Sequence, residues 1–284
     1  MRRAAVVVVL VGALTLASAA GAEDPPLTAP NLAALNGVNF IGNCGFSHRS
    51  MDDPIVFPGQ PGASHDHSFV GNRTTNAFST LATLRAGATT CKRVGETAAY
   101  WMPTLYVDGK PVRPKGATIY YPRKTLKPVR PFPAGFRAVA GDAHAMAAQP
   151  LRVTFWNCGA NAGIAASSTV PTCPDTMANS LRLHVNFGSC WDGKHLDTAD
   201  HKSHLAFAKA GKCPATHPVP VPAISVIFRY ATTGGPGVSL ASGGQLTGHA
   251  DFFNAWDQPT LRTLVRDCLN QLRHCAQGAK RVWR

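Results

Sequence analysis

The sequence predicts a mostly β fold: a single-domain antiparallel β-sandwich or jelly-roll-like body with a C-terminal α-helix. Three observations carry this. Turn formers punctuate the whole chain, with 26 glycines and 22 prolines in 284 residues. Short runs that alternate apolar and polar residues recur between them, the period of half-buried strands. Only one stretch, close to the C-terminus, has the 3.6-residue apolar period of an amphipathic helix. The acids agree: apart from Glu23 and Glu96 all are aspartates, and a large helical bundle draws on glutamate, the better helix former. An apolar content of 45% excludes intrinsic disorder. A single long apolar segment excludes a multi-span membrane protein.

That segment comes first. Arg2 and Arg3 precede the apolar run 4–16, and small residues follow as far as Ala22. This is the pattern of a secretory signal peptide, 1–22, cut after Ala22. Residues 23–38 read as a loose lead-in and 39–284 as one secreted β-rich domain. Strand candidates follow at Leu105–Val107, Ala117–Tyr121 and Leu151–Cys158. In Leu181–Phe187, Leu181, Leu183, Val185 and Phe187 share one face and Arg182, His184 and Asn186 the other. Ile224–Tyr230 alternates likewise. The helix is marked by Leu261, Leu264, Val265, Cys268, Leu269 and Leu272, one apolar stripe. Asp257 is placed to cap it, and Pro259 falls in the first turn, where a missing N–H costs nothing.

Eight cysteines in an exported chain imply four disulfides. Sequence-adjacent pairing is expected: 44–91, 158–173, 190–213 and 268–275. An unbroken helix would separate Cys268 from Cys275 by about 10 Å of rise, too far to bridge. The helix must therefore end near 270–273. No C-x-x-C occurs, so a cysteine zinc site is not expected.

Chemistry is left to histidine and aspartate. His65 and His67 are two apart in a turn-rich stretch, so an extended backbone presents both imidazoles on one side and Asp66 on the other. That suits one metal ion or one substrate; the plainer reading is two hydrogen-bonded loop histidines. A second cluster holds Trp191, Lys194, Asp197, Asp200, His201 and His204. If helical, Asp197, His201 and His204 share a face; otherwise it is a polar loop closed by Cys190 and Cys213. A third cluster places His249 and Asp251 two apart. Imidazole beside carboxylate suits a metal or a general acid–base pair. No G-x-S-x-G, P-loop, dinucleotide fingerprint or H-E-x-x-H is present. Asn72-Arg73-Thr74 is a glycosylation sequon. From 109 to 141 there are eight bases and no acid, among them Arg123, Lys124 and Lys127. In an exported protein this points to an anionic polymer rather than nucleic acid; the plainer reading is a solvated rim.

Several of these segments together resemble a known family, the secreted "domain of unknown function nineteen-ninety-six" family of bacteria and fungi. The matching pieces are Asp53-Pro54-Ile55-Val56, His65-Asp66-His67-Ser68-Phe69-Val70-Gly71, Trp101-Met102-Pro103-Thr104-Leu105-Tyr106 and Gly135-Phe136-Arg137 with Ala140-Gly141-Asp142. They continue with Cys190-Trp191-Asp192-Gly193-Lys194, Leu196-Asp197, Asp200-His201, Ser203-His204, His217-Pro218-Val219 and His249-Ala250-Asp251-Phe252. The resemblance spans about 39–268 and departs at Ala250, where many relatives have glycine. It implies export and a single domain, and it brings no reaction with it.

The functional expectation is a secreted carbohydrate-active protein, an enzyme that cleaves an extracellular polysaccharide through a His/Asp centre with or without a metal. His65, His67, Asp197, Asp200, His201 and His204 are the expected catalytic residues. Trp191, Lys194, Trp256, Arg123, Lys124 and Lys127 are expected to hold substrate. If one divalent transition metal is used, His65, His67, His204 and Asp251 are its expected ligands. The alternative is a non-catalytic module that binds anionic cell-wall or extracellular polymers through 109–141. The expected partner is a polysaccharide, with no nucleic acid, and no membrane once the signal is removed.

Overall fold

The computed structural model describes Met1 and residues 23–159, 163–176 and 180–276; the predicted signal peptide, over 2–22, lies outside the described residues. In the first half the strands are β1 (Asn39–Cys44), β2 (Phe46–Ser50), β3 (His67–Gly71), β4 (Ala99–Pro103), β5 (Leu105–Val107), β6 (Lys110–Val112), β7 (Pro114–Pro122), β8 (Arg137–Gly141) and β9 (Thr154–Asn157). The second half adds β10 (Arg182–Asn186), β11 (Cys190–Trp191), β12 (Leu205–Ala206), β13 (Val219–Pro220), β14 (Ser225–Tyr230), β15 (Val238–Leu240), β16 (His249–Phe253) and β17 (His274–Cys275).

Two sheets dominate. The first has the order β17-β1-β7-β14-β10-β9, antiparallel except where β17 runs parallel to β1. The second has the order β2-β3-β4-β16-β8 and is antiparallel throughout. Two three-stranded ribbons, β12-β11-β13 and β15-β5-β6, complete it. The fold class is thus the mostly β one that the alternation predicts. Inward residues of the first sheet, such as Phe40, Ile119, Leu183 and Phe228, pack in one core with Val70, Tyr100, Ala138 and Phe252 of the second. Each such large side chain contributes about 1.5–3 kcal/mol by leaving water.

The opposite face of the second sheet positions the site. With period two, Phe69, Ala99, Trp101 and Phe253 point away from the main core and form a smaller cluster with Ile55, Leu84 and Ala255. Leu84 comes from a short helix, α1 (Leu81–Ala86), which the sequence reading did not anticipate. Six residues are too few to show an apolar period; its signal is the cap, Thr80 and Thr83 bonding each other's backbone. The same parity puts His67, His249 and Asp251 on this outer face, beyond the apolar cluster.

The C-terminal helix, α2 (Gln258–Leu264), begins as expected: the Asp257 side chain accepts from the Thr260 amide at 2.9 Å. It passes into one π-turn over Val265–Leu269 and stops at Asn270. That stop brings Cys268 and Cys275 to a Cα separation of 5.8 Å, and all four expected disulfides are present. The lead-in is not loose. Leu27 and Ala29 donate backbone bonds to Asn270 and Leu126, and the Leu27 carbonyl accepts from Arg123. Asn72 of the sequon is fully buried, its amide donating to the Leu84 and Thr97 carbonyls, so it is closed to a glycan in the folded state.

Candidate functional site

His67 opens β3, and the segment before it, 51–66, folds back across the outer face. Asp53 holds the turn: its Oδ1 accepts from the amides of Ile55 and Val56, both at 2.9 Å. Asp52 accepts from the Ser50 hydroxyl and the Gly62 amide. The fold-back carries His65 over β16. His249 opens that strand, opposite Gly141 of β8. Gly141 has φ +85°, and a Cβ there would collide with the Gly248 carbonyl, so glycine lets the two strands close at this point.

Three imidazoles therefore converge. His65 Nε2 and His249 Nε2 are 3.2 Å apart. The ring centroid of His67 is 4.2 Å from that of His65 and 5.8 Å from that of His249. His67 is fully buried, His249 nearly so, and His65 is half-buried, so the group reaches solvent past His65. Backbone carbonyls fix the ring orientations. His249 Nδ1 faces the Thr247 carbonyl at 2.9 Å, and His67 Nδ1 faces that of Asp52 at 3.1 Å. An N–H facing a carbonyl donates, which leaves a lone pair on each Nε2. His67 Nε2 has no hydrogen-bond partner among the described residues. Burial lowers the pKa of His65 to about 4 and of His249 to about 3, and holds His67 well below the usual value. All three are neutral at neutral pH.

Carboxyls lie just inside. Asp53, His67 and Asp251 bring potential ligand atoms within 4.8 Å of one another. Asp251 is fully buried, and neither of its oxygens has a hydrogen-bond partner among the described residues. Burial, then the neighbouring Asp53, push its carboxyl well above the usual range. Burial also raises Asp53, against the amides of Val56 and Ile55 and the Trp101 indole, which favour its charged form.

The 190–204 cluster is a turn-rich loop beside β8, not a helix. Its backbone bonds to the strand: Arg137 and Val139 donate to the carbonyls of Leu196 and His201. Asp197 Oδ1 meets His201 Nδ1 at 2.8 Å, and His201 lies near enough to Asp53 to influence it. Lys202 likewise acts on His249 and Asp251. Asp197 and His201 therefore flank the centre.

Other expected site residues are placed elsewhere. His204 does not join His65 and His67: it packs on Phe136, its Nε2 is hydrogen-bonded to the Arg137 carbonyl and its Nδ1 to the Thr198 hydroxyl. Both nitrogens are spent, and the position given to it in the metal set is taken by His249. Asp200 is spent on its own turn, accepting from Thr198, Lys202 and Ser203. Trp256 is fully buried and donates to Tyr121, so it offers no platform to a sugar. Arg123 is fully buried among backbone carbonyls and faces no polymer. Trp191 is half-buried, its indole N–H on the His195 carbonyl; Lys194, Lys124 and Lys127 are exposed.

Sequence reasoning missed Asp53, which reads as an ordinary turn aspartate before proline. It saw His249 but did not join it to the H-x-H pair. The available signal was the shared spacing: H-x-H leads into one strand and H-x-D opens another, each pairing two polar groups two residues apart.

The sequence model of a family described as "Domain of unknown function (DUF1996)" matches residues 53–256. His65, His67, His249, Asp53 and Asp251 all lie inside the match. No curated protein and no solved structure matches the chain.

Proposed function

The chain belongs to the DUF1996 family, and from that premise we propose that it is a secreted carbohydrate-active protein that cleaves an extracellular polysaccharide at the His65–His67–His249 centre. The observation that carries this is the meeting of three neutral imidazoles with two buried carboxyls at one point that opens to solvent past His65. Neutral imidazole accepts a proton, and a carboxyl kept protonated by burial supplies one, the two functions that glycosidic cleavage needs. Asp197 orients His201 through the contact at its Nδ1. Four disulfides fit an oxidising compartment, consistent with export.

The test is chain shortening of a panel of neutral and acidic polysaccharides, followed by size-exclusion chromatography. Wild type should shorten at least one of them. Asp251→Asn keeps shape and removes the proton donor; it and His249→Ala should each lower the rate by roughly 10²–10⁴-fold. No shortening of any polymer by wild type, or full rates in both variants, overturns the reading.

A second reading has one observation of its own. Lys110, Arg113, Lys115, Lys124, Lys127 and Arg130 are exposed and no acid lies in their stretch. These suit attachment to an anionic polymer, whether or not cleavage follows.

A further inference from the structure

The three imidazoles have a geometry that hydrogen bonding alone leaves unexplained. His65 Nε2 and His249 Nε2 face each other at 3.2 Å. One N–H on His65 could bridge them, but His67 Nε2 would still be buried without a partner among the described residues, and an orphaned buried acceptor is costly. A metal ion uses all three lone pairs at once. In a tetrahedral site with bonds of 2.0–2.1 Å, two ligating nitrogens lie about 3.3 Å apart. His65 and His249 already have that spacing, and the ligand atoms of all three histidines fall within 4.8 Å of one another.

The surroundings agree. Ligating histidines usually give their other ring N–H to a carbonyl or carboxylate, which fixes the tautomer. His67 and His249 do this with the carbonyls of Asp52 and Thr247. Behind them lie Asp251, buried with both oxygens unpartnered among the described residues, and Asp53. Two carboxyls gathered in a dry interior can ionise only where positive charge is brought to them. A dication on His67 supplies it, against the single charge of Lys202 that also acts here. Asp66 is turned away, bonded to Tyr106 and Arg49. The other clustered set, Cys44, Cys91 and Glu96, is no rival, because its sulfurs are joined in a disulfide.

We propose that His65, His67 and His249 bind one divalent transition-metal ion, with a coordination position left open on the solvent side of His65. Imidazole donors suit zinc and copper, whereas magnesium and calcium take oxygen ligands. The ion belongs to the centre on which the polysaccharide reading rests. It would polarise a bound hydroxyl or water there.

The experiment uses the disulfide-bonded chain, stripped with chelator and dialysed. It is titrated calorimetrically with zinc chloride, copper(II) chloride, magnesium chloride and calcium chloride in separate runs. One equivalent of zinc or copper should bind, and neither magnesium nor calcium. His65→Ala and His249→Ala should each weaken binding by roughly a hundredfold or more. His65 is half-buried, so its truncation leaves the core intact, and circular dichroism checks this. In the copper-loaded protein, paramagnetic resonance should show nitrogen couplings that fall in number in His65→Ala. Absence of stoichiometric zinc or copper binding, or unchanged affinity in both variants, overturns the proposal. A bound ion with no activity on any polysaccharide upholds the metal site and removes the substrate reading; activity without a bound ion does the reverse.

Discussion

Arg123 shows how much the location of one side chain decides. In the sequence it is one of eight bases between 109 and 141, no different from Lys124 beside it. In the fold it is fully buried, and its guanidinium donates to the carbonyls of Thr125, Leu27, Leu269 and Leu126. It ties the lead-in, the turn after β7 and the end of the π-turn together. Arg123→Ala strands these carbonyls and opens a cavity, so it should destabilise the protein by about 2–5 kcal/mol, read by chemical denaturation. A cost under about 0.5 kcal/mol would mean that the carbonyls find other partners. Spacing and charge were legible in the sequence; which carbonyls surround a base was not. The site divides the same way. The H-x-H and H-x-D pairs were legible as polar pairs on strand faces. Their meeting was not, because His65 and His249 are 184 residues apart and only the register of β3, β4 and β16 joins them.

At the scale of elements, alternation did most of the work. β5 matches its sequence reading residue for residue, and β10 and β14 lie inside theirs, because one face of each is buried in a common core. β3, β4 and β16 were harder to see, since they are buried on both faces and show no polar half. Between the two sheets lies a feature that no pattern announced. Tyr100 donates to Glu96 and shares a hydrogen bond with Tyr121, whose hydroxyl accepts from Trp256. Glu96 is fully buried, and burial raises its carboxyl from 4.5 to about 7. Because the folded pKa lies above the unfolded one, the unfolded chain loses its proton first as pH rises. The contribution of Glu96 is then fully present below about 4.5 and is lost as pH rises through about 7. The loss amounts to about 3 kcal/mol. Glu96→Gln carries no proton to lose, so the stability difference between variant and wild type should grow in the variant's favour from pH 4.5 to 7.5. A difference that is flat over that range would show that Glu96 ionises freely in the fold.

On the scale of the whole molecule, the region matched by the family, 53–256, is closed by strands and a helix from outside it. β1 enters the first sheet, and α2 with its π-turn packs Leu261, Val265 and Leu269 into the main core. The charge is distributed differently from the core. The formal net charge is +13, counting Arg2 and Arg3, and the exposed bases of 109–141 project from β6, β7 and the loop after β7. Exposed charges act over a Debye length, about 10 Å at 0.1 M salt and about 3 Å at 1 M. If this surface holds an anionic polymer, retention on an acidic polysaccharide should fall steeply as salt rises through that range. Retention on a neutral one should not change with salt. Lys124→Ser combined with Lys127→Ser should weaken retention at low salt, shift elution to lower salt and leave thermal stability unchanged, since both side chains are exposed. Arg123→Ala sets the contrast: it should lower stability and leave the salt profile of the folded fraction where it was. Should the double variant elute with wild type at every salt concentration, these two lysines are solvated surface and hold no polymer.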